Sequence, residues 1–259
     1  LKRIQHVVFG DGALMVTVAS TRHLGALSGK ARCVCFLGPG VAVGTDCGIE
    51  VIPLSPGPVA QEETPETTAV AALGSQSFAA GDAEGRVRVL HWRRGSLKVQ
   101  THREVHSARV NGIANGGDAI FTVSDDQSCR QLDVLEDFAI KPFHSDSCKL
   151  SAVACSGERV VVIGAEDGRV LELRRRTAEV LRVLAAPGPV TALQATDSLI
   201  LAATGAGARL WPTTSNRHHG AAAVADPGAE CPPLVAVAAD AGAGAGLAEG
   251  PETKGVVVA

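Results

Sequence analysis

Hydrophobic residues in this chain occur in short runs, each ended by Gly, Asp, Asn, Ser or Pro. In Arg86–Trp92, valines at every second position alternate with arginines, which is the period of a half-buried β-strand. In Ala119–Ser124 nearly every position is apolar, as expected of a strand that is buried on both faces. The pattern therefore predicts an all-β protein made of short antiparallel strands.

The strand pattern repeats along the chain. The small residue that ends each predicted second strand recurs at spacings of 37, 43, 40 and 40 residues, at Gly44, Gly81, Ser124, Gly164 and Thr204. A period of about 40 residues, with three or four strands and a polar turn, is typical of one blade of a propeller. A small sheet cannot bury both faces alone, and packing around a ring buries them and protects the strand edges.

The clearest unit runs from His106 to Asp133. It contains three predicted strands, Val110–Ala114, Ala119–Ser124 and Cys129–Asp133, joined by turns rich in Asn, Gly and Asp. The unit resembles one blade of the WD-repeat family in three features: His106 at the Gly-His position, Ser124 and Asp126 at the Ser-x-Asp turn, and Leu132-Asp133 where the family has Trp-Asp.

The resemblance extends over roughly residues 4–211, with eroded motifs. Trp211 matches the third-strand Trp of the family but is followed by Pro212, and Trp92 lies slightly beyond the expected place. The family's His-Ser-Asp-Trp network is nearly complete only in the central unit, where Leu132 lacks the indole donor. The resemblance implies a divergent WD-repeat-like β-propeller of six or seven blades, whose stability depends on aliphatic packing.

The domain organisation follows from composition. Residues 1–215 carry the predicted blades, and residues 216–259 are rich in Ala and Gly, typical of a degenerate last blade or a flexible tail. Leu234–Ala239 and Gly255–Ala259 have the composition of strands, which favours seven blades over six with a tail. The chain begins with Leu1 rather than Met, consistent with a processed or trimmed chain.

Composition excludes several classes of function. The chain has 259 residues, 46% of them hydrophobic, and a formal charge of −3, which gives no electrostatic reason to expect nucleic acid or an anionic membrane. No run of about 18 apolar residues exists, so we expect no membrane insertion. The seven cysteines include no C-x-x-C pair, so we expect free buried thiols in a reducing compartment, and no zinc even at Cys33 and Cys35.

Candidate chemistry is weak throughout. His, Asp and Ser in the central unit invite comparison with a catalytic triad, but their spacing is that of structural hydrogen bonds and no G-x-S-x-G turn is present. His218-His219 lacks a third metal ligand, and Gly242–Gly246 lacks the ending of a phosphate loop. Asp82, Asp126 and Asp167 recur where turns need capping. We predict no enzyme, no metal and no cofactor.

The predicted function is a non-catalytic scaffold subunit that binds other proteins in a large intracellular complex, in the nucleus, the nuclear envelope or the cytoplasm. From Phe78 to Trp211 the units resemble the small WD-repeat subunits of the nuclear-pore outer ring, most closely in Gly164–Leu173. The alternatives are a small-ligand or enzymatic site at the central channel, and RNA association through Arg93-Arg94 and Arg174–Arg176.

Docking residues are expected in loops. We expect Ser55–Glu66, rich in Pro, Glu and Thr, to form an exposed loop that reaches partners. Three arginines next to predicted turns, Arg86, Arg109 and Arg169, are the candidate contacts with a partner protein. No small-molecule substrate is expected.

Overall fold

The computed structural model describes residues 27–214, together with the backbone of four further strands in residues 6–10, 13–17, 236–239 and 255–258. This part of the chain is all-β, as predicted, and helix is nearly absent from it. Within it, no helix has the length and apolar character that crossing a membrane requires.

The strands form small antiparallel sheets. The chain begins with the pair β1 (His6–Gly10) and β2 (Ala13–Thr17). Nineteen strands then form five sheets, which we call sheets I to V. Sheet I contains β3 (Ala31–Leu37), β4 (Gly40–Thr45), β5 (Gly48–Pro53) and β6 (Ala60–Glu63). Sheet II contains β7 (Thr67–Ala72), β8 (Ser77–Asp82), β9 (Arg86–Arg93) and β10 (Ser96–Glu104).

The remaining sheets follow the same plan. Sheet III contains β11 (Val110–Asn115), β12 (Ala119–Ser124), β13 (Ser128–Asp133) and β14 (Ala139–Ser145). Sheet IV contains β15 (Leu150–Ser156), β16 (Val160–Ala165), β17 (Arg169–Arg174) and β18 (Val180–Ala185). Sheet V contains β19 (Val190–Ala195), β20 (Leu199–Thr204) and β21 (Gly207–Pro212). A last pair consists of β22 (Ala236–Ala239) and β23 (Gly255–Val258). Within each of sheets I to V the strands lie in chain order, so consecutive strands are joined by short hairpin loops.

The first strand of sheets I to V carries a β-bulge at its second residue. The bulged residues are Arg32, Thr68, Asn111, Ser151 and Thr191. In three sheets the bulged side chain is a hydroxyl that donates to a carbonyl of the adjacent second strand, at 3.1 or 3.2 Å. The bulge is therefore a repeated structural feature of the sheets.

The first strands of successive sheets lie side by side. β3 contacts β7, β7 contacts β11, β11 contacts β15, and β15 contacts β19. At the end of this series the backbone of β22 lies near both β19 and β3. The five sheets are thus arranged in chain order around their first strands.

The hydrophobic core consists of layers shared by neighbouring sheets. In sheet II, Phe78 and Leu90 face sheet I, whereas Val87 and Val89 face sheet III. The two-residue period of a strand makes this division, because neighbouring side chains point to opposite faces. Most of the buried side chains are Val, Ile, Leu and Ala, as predicted, and burial of each larger one contributes roughly 1.5–3 kcal/mol.

The outer strands were harder to predict. Ser55–Glu66 is not one exposed loop, as the sequence suggested, because Ala60–Glu63 forms β6 and pairs with β5. The central unit likewise has a fourth strand, β14, beyond the three predicted. An outer strand is solvated along its edge, so it lacks the continuous apolar run that identifies an inner strand. In β6 only Ala60 is buried.

The ends of the second strands and the two C-terminal strands lie close to their predicted positions. The second strands end at Thr45, Asp82, Ser124, Ala165 and Thr204, so three of the five predicted ends were one residue early. Both strands predicted in the Ala/Gly-rich segment form, as β22 and β23, and they pair with each other. The rest of residues 216–259 lies outside the described residues.

Candidate functional site

The polar cluster in sheet III is centred on His106, which precedes β11. Its Nδ1 lies 3.1 and 3.0 Å from the two carboxylate oxygens of Asp126, and 3.1 Å from Oγ of Ser128. Its Nε2 lies 2.8 Å from Oγ1 of Thr122 on β12. Asp126 also accepts hydrogen bonds from the backbone N–H of Ser107 and of Ser128. The cluster therefore joins the loop before β11 to the turn between β12 and β13.

The protonation of the cluster follows from its burial. Burial lowers the pKa of His106, and this effect outweighs the opposing charge of Asp126. Burial raises the pKa of Asp126, but the hydrogen bond from the Ser128 side chain, the electrostatic interaction with His106 and the N–H groups of Ser107 and Ser128 bring it below its usual value. Near neutral pH the imidazole is therefore neutral and the carboxylate charged. In the neutral ring, Nδ1–H donates to Asp126, and Nε2 accepts a hydrogen bond from Thr122.

The order Thr122–His106–Asp126 is that of a catalytic triad, but the hydroxyl is in the wrong place for one. Thr122 and the His106 side chain are both fully buried, so a substrate carbonyl has no route to the oxygen. Ser124, the hydroxyl residue that the sequence suggested, does not contact His106. It donates to the carbonyl of Ala108 at 3.1 Å and accepts from the Asp126 N–H. The cluster holds two loops together.

The three arginines predicted to contact a partner are all engaged within the chain. Arg86 pairs with Glu84. The guanidinium of Arg109 lies 3.4 Å from Oε1 of Glu66, and the guanidinium of Arg32 lies 3.1 Å from the same oxygen. Because Arg32, Glu66 and Arg109 precede or begin the first strands of sheets I, II and III, this ion-pair group links three sheets.

The third arginine, Arg169, pairs with Asp146 at 2.7 Å and with Asp167 at 2.6 Å. Burial alone would raise the pKa of Asp146, but hydrogen bonds from Arg169 and nearby N–H groups hold it at about 2. The Asp146–Arg169 contact joins the loop that follows β14 to β17. Each of the three arginines therefore already forms an ion pair within the chain.

The carboxylates at the turns after the second strands accept backbone N–H groups within those turns. Asp82 accepts the N–H groups of Glu84 and Arg86, each at 3.0 Å. Asp167 accepts the N–H of Arg169 at 3.1 Å. These contacts, with the corresponding bonds of Asp126, cap the turns that follow the second strands.

Four of the described cysteines, all in strands, are largely buried free thiols. Burial raises the pKa of Cys33 and of Cys35 to about 12, so both thiols stay protonated at neutral pH. Burial has the same effect on Cys129 and Cys155. Among residues 27–214, no group of three or more His, Cys, Asp or Glu side chains is placed to hold a metal ion. His218-His219 and Gly242–Gly246 lie outside the described residues.

A cleft of about 300 Å³ lies between sheets I and II, at the turn that joins β9 to β10. Its walls include Trp92, Arg94 and four prolines, Pro39, Pro53, Pro56 and Pro58. The cleft is formed by hairpin turns and not by the first strands of the sheets. It therefore gives no support to a ligand site among those strands.

Several polar contacts were not visible in the sequence. Thr122 and Ser128 complete the His106 cluster, but hydroxyl residues in strands carry no distinctive sequence signal. Glu172 on β17 is fully buried and accepts Arg182 at 2.5 Å, and the N–H and hydroxyl of Thr214 at 2.8 and 2.6 Å. Alternation with buried leucines, as in Leu171-Glu172-Leu173, is the only sequence signal for such a carboxylate.

Comparison with known proteins informs the fold alone. No known family and no curated protein sequence matches the chain. The chain is similar in structure to a computationally designed protein, Ika8, with a TM-score of 0.61 and 20% sequence identity. The similarity covers 70% of this chain and 57% of the designed protein, so the chain spans little more than half of that protein. At this identity the similarity concerns the arrangement of strands and carries no function.

Proposed function

We propose that this chain is a non-catalytic β-propeller scaffold of the WD-repeat type, which binds other proteins within an intracellular assembly. The main support for the proposal is that the polar clusters considered above, all within residues 27–214, are buried or paired within the chain. The histidine cluster is buried, the turn carboxylates cap turns, and the arginines next to the turns pair within the chain. Such a chain offers a rigid surface and no exposed catalytic group.

Ring closure is part of the proposal. The bulged first strands of sheets I to V follow one another, and β22 lies near both β19 and β3. We propose that the β22–β23 pair completes the ring between sheets V and I. Closure would cover the outer faces of the two end sheets, which an open array would expose to water.

The host complex is a narrower proposal. Because residues 78–211 resemble the small WD-repeat subunits of the nuclear-pore outer ring, that assembly is the first candidate, and its location would be the nuclear envelope. Ribosome-assembly, ciliary and RNA-modification complexes are the other candidates. The resemblance of short motifs is the only support for the narrower proposal.

The competing functions have less support. A ligand site at the central channel needs convergent charged side chains on the first strands, but β11, β15 and β19 contain no His, Asp, Glu, Lys or Arg. Direct RNA binding through Arg174–Arg176 has less support, because two of the three arginines already have carboxylate partners: Arg174 pairs with Glu179, and Arg175 pairs with Asp118. Both features favour the scaffold.

The test is affinity purification of the tagged full chain from cells that naturally express it, followed by gel filtration and quantitative mass spectrometry. The proposal predicts recovery of a fixed set of proteins, each at constant stoichiometry to the chain through the gel-filtration peak. The identities then decide between the nuclear pore and the other hosts. Elution of the chain alone, as a stable monomer, would contradict the scaffold function.

A further inference from the structure

The outer strands of sheets I to IV expose one edge each, and three of them are protected against pairing. β6 has only four residues and carries Glu62 and Glu63. β10 has a bulge and carries Lys98 and Arg103. β14 carries Lys141 and Pro142, and proline has no N–H to donate to a new strand. Charges, prolines, bulges and short length are the means by which edge strands avoid pairing with other chains.

The outer strand of sheet IV, β18, lacks most of this protection. Within the described residues it pairs only with β17, and its sequence is Val-Leu-Arg-Val-Leu-Ala. Val180 is 42% exposed and Val183 is 54% exposed. The one charged residue, Arg182, is neutralised, because it contacts the buried carboxylate of Glu172 at 2.5 Å. β18 therefore presents an apolar edge to solvent.

The bulge in β18 places the two exposed valines together. Val180 lies opposite Leu173 and Val183 opposite Leu171, with the register shift between them. Because Leu171 and Leu173 lie on one face of β17, the two valines lie on one face of β18. The shift thus produces an exposed apolar pair beside a free row of backbone groups.

One end of this edge is basic. β17 ends at Arg174, and the turn that leads from it into β18 contains Arg175 and Arg176. Arg159 lies next to them, since Val160 pairs with Arg174. Arg174 and Arg175 have carboxylate partners. Arg159 and Arg176 are exposed, and neither forms an ion pair with another described residue. The chemistry complementary to this end is a carboxylate.

We propose that β18 is a docking edge, to which an extended segment of a partner protein adds as a further strand of sheet IV. The segment places apolar side chains against Val180 and Val183, and acidic side chains at the end formed by Arg159 and Arg176. Backbone hydrogen bonds provide affinity in such strand addition, and the side chains provide register. This inference rests on the proposed scaffold function and identifies its contact surface.

A second copy of this chain fits the edge poorly. In an antiparallel pair of β18 strands, the basic end of one copy would lie beside Ala185 and the residues that follow it. Arg169 lies opposite Ala185, and its two carboxylate partners, Asp146 and Asp167, are already paired with it. The cations of one copy would therefore meet an end of the other copy where a third arginine has already engaged two carboxylates.

The test compares matched variants of the tagged full chain in the cells that naturally express it. Val183→Lys adds a charge to the proposed docking edge, and Val99→Lys adds the same charge to an exposed valine on β10. The proposal predicts that Val183→Lys lowers recovery of one partner about tenfold, the effect of roughly 1.4 kcal/mol of lost binding, while Val99→Lys leaves it unchanged. Arg176→Glu should also lower it, and Arg94→Glu should not.

Hydrogen exchange gives an independent readout that a folding defect would not imitate. In the purified complex, the amides of β18 should exchange more slowly than in the free full-length chain, whereas those of β10 should not change. Equal recovery by all variants, or no slowing in β18, would overturn the docking edge and leave the scaffold function standing. Equal loss with both lysine variants, or capture of a second copy alone, would also overturn it. Absence of any partner for the unmodified chain would remove the scaffold function itself.

Discussion

Gly85 marks a point where two backbones approach too closely for any side chain. It lies in the turn before β9 with a φ of +86°, and a Cβ there would be 2.2 Å from the carbonyl oxygen of His106. The carbonyl of Gly85 accepts the N–H groups of Val105 and His106. Gly117 has a similar φ of +90°, but a Cβ there would meet nothing within 4 Å. A side chain at Gly117 would therefore introduce backbone strain alone, whereas a side chain at Gly85 would introduce both backbone strain and steric overlap.

Replacing each glycine by alanine should therefore have unequal effects. Gly117→Ala should lower the free energy of unfolding by about 1 kcal/mol, because only the left-handed backbone is strained. Gly85→Ala should lower it by about 3 kcal/mol or more, because the loop that carries His106 must also move. Urea unfolding followed by circular dichroism measures both. Similar midpoints for the two variants would show that the close approach at Gly85 is not rigid.

His106 should make stability depend on pH. Since burial holds its pKa below the usual value, the unfolded chain binds a proton more readily than the folded one. The contribution is complete above the unfolded pKa, about 6.5, and is lost as the pH falls below it. For a single titrating group, the free energy of unfolding falls by at most ~1.4 kcal/mol per pH unit.

Urea unfolding at about pH 7.5 and about pH 5.5 tests this linkage, since the two values bracket the usual histidine pKa. His106→Gln should unfold at lower urea than the unmodified chain at the higher pH, but should lose less stability on acidification. His102→Gln, at an exposed position on β10, serves as the matched control for the substitution itself. A pH dependence that survives in His106→Gln would assign the effect to another group.

At the scale of single elements, β17 and β18 are joined to the end of sheet V by the buried carboxylate of Glu172. Arg182 contacts this carboxylate from β18 and also donates to the carbonyl of Pro212 on β21. Thr214 completes the contact from the residues that follow β21. A buried charge is stable only while its partners are present.

Arg182→Ala should therefore cost about 3 kcal/mol of stability, because it leaves Glu172 buried with only the bonds from Thr214. Arg174→Ala removes the arginine of an exposed pair with Glu179 and should cost less than about 1 kcal/mol. Thermal unfolding of the two variants gives the comparison. Equal losses of stability would mean that water or another cation replaces Arg182.

Inner and outer strands differ in how well the sequence predicts them. The predicted bounds of Ala119–Ser124 agree with the structure, because this strand is buried throughout and its turns carry Gly, Asn or Asp. β6 was missed because its polar edge looks like a loop. In the histidine cluster, the contact between His106 and Asp126 was anticipated from their positions. Thr122 was not, since its contact depends on how β12 faces the loop before β11.

At the scale of the whole molecule, the proposed scaffold requires the sheets to form a closed ring. Sheets II, III and IV each have neighbours on both faces, whereas in the proposed ring the outer faces of sheets I and V would be covered by β22 and β23. In an open array of repeats the end units unfold more easily than the middle ones. In a closed ring there are no end units.

Hydrogen exchange of the intact chain under native conditions tests closure most directly, because it gives the free energy of opening for each strand. A closed ring predicts that the slowest amides of β3 and β19 exchange with the same opening free energy as those of β11. Removing residues 216–259 should then lower the opening free energy for β3 and β19 first. Faster exchange of β3 or β19 in the intact chain, with β11 still protected, would show an open array of sheets and contradict the closed scaffold.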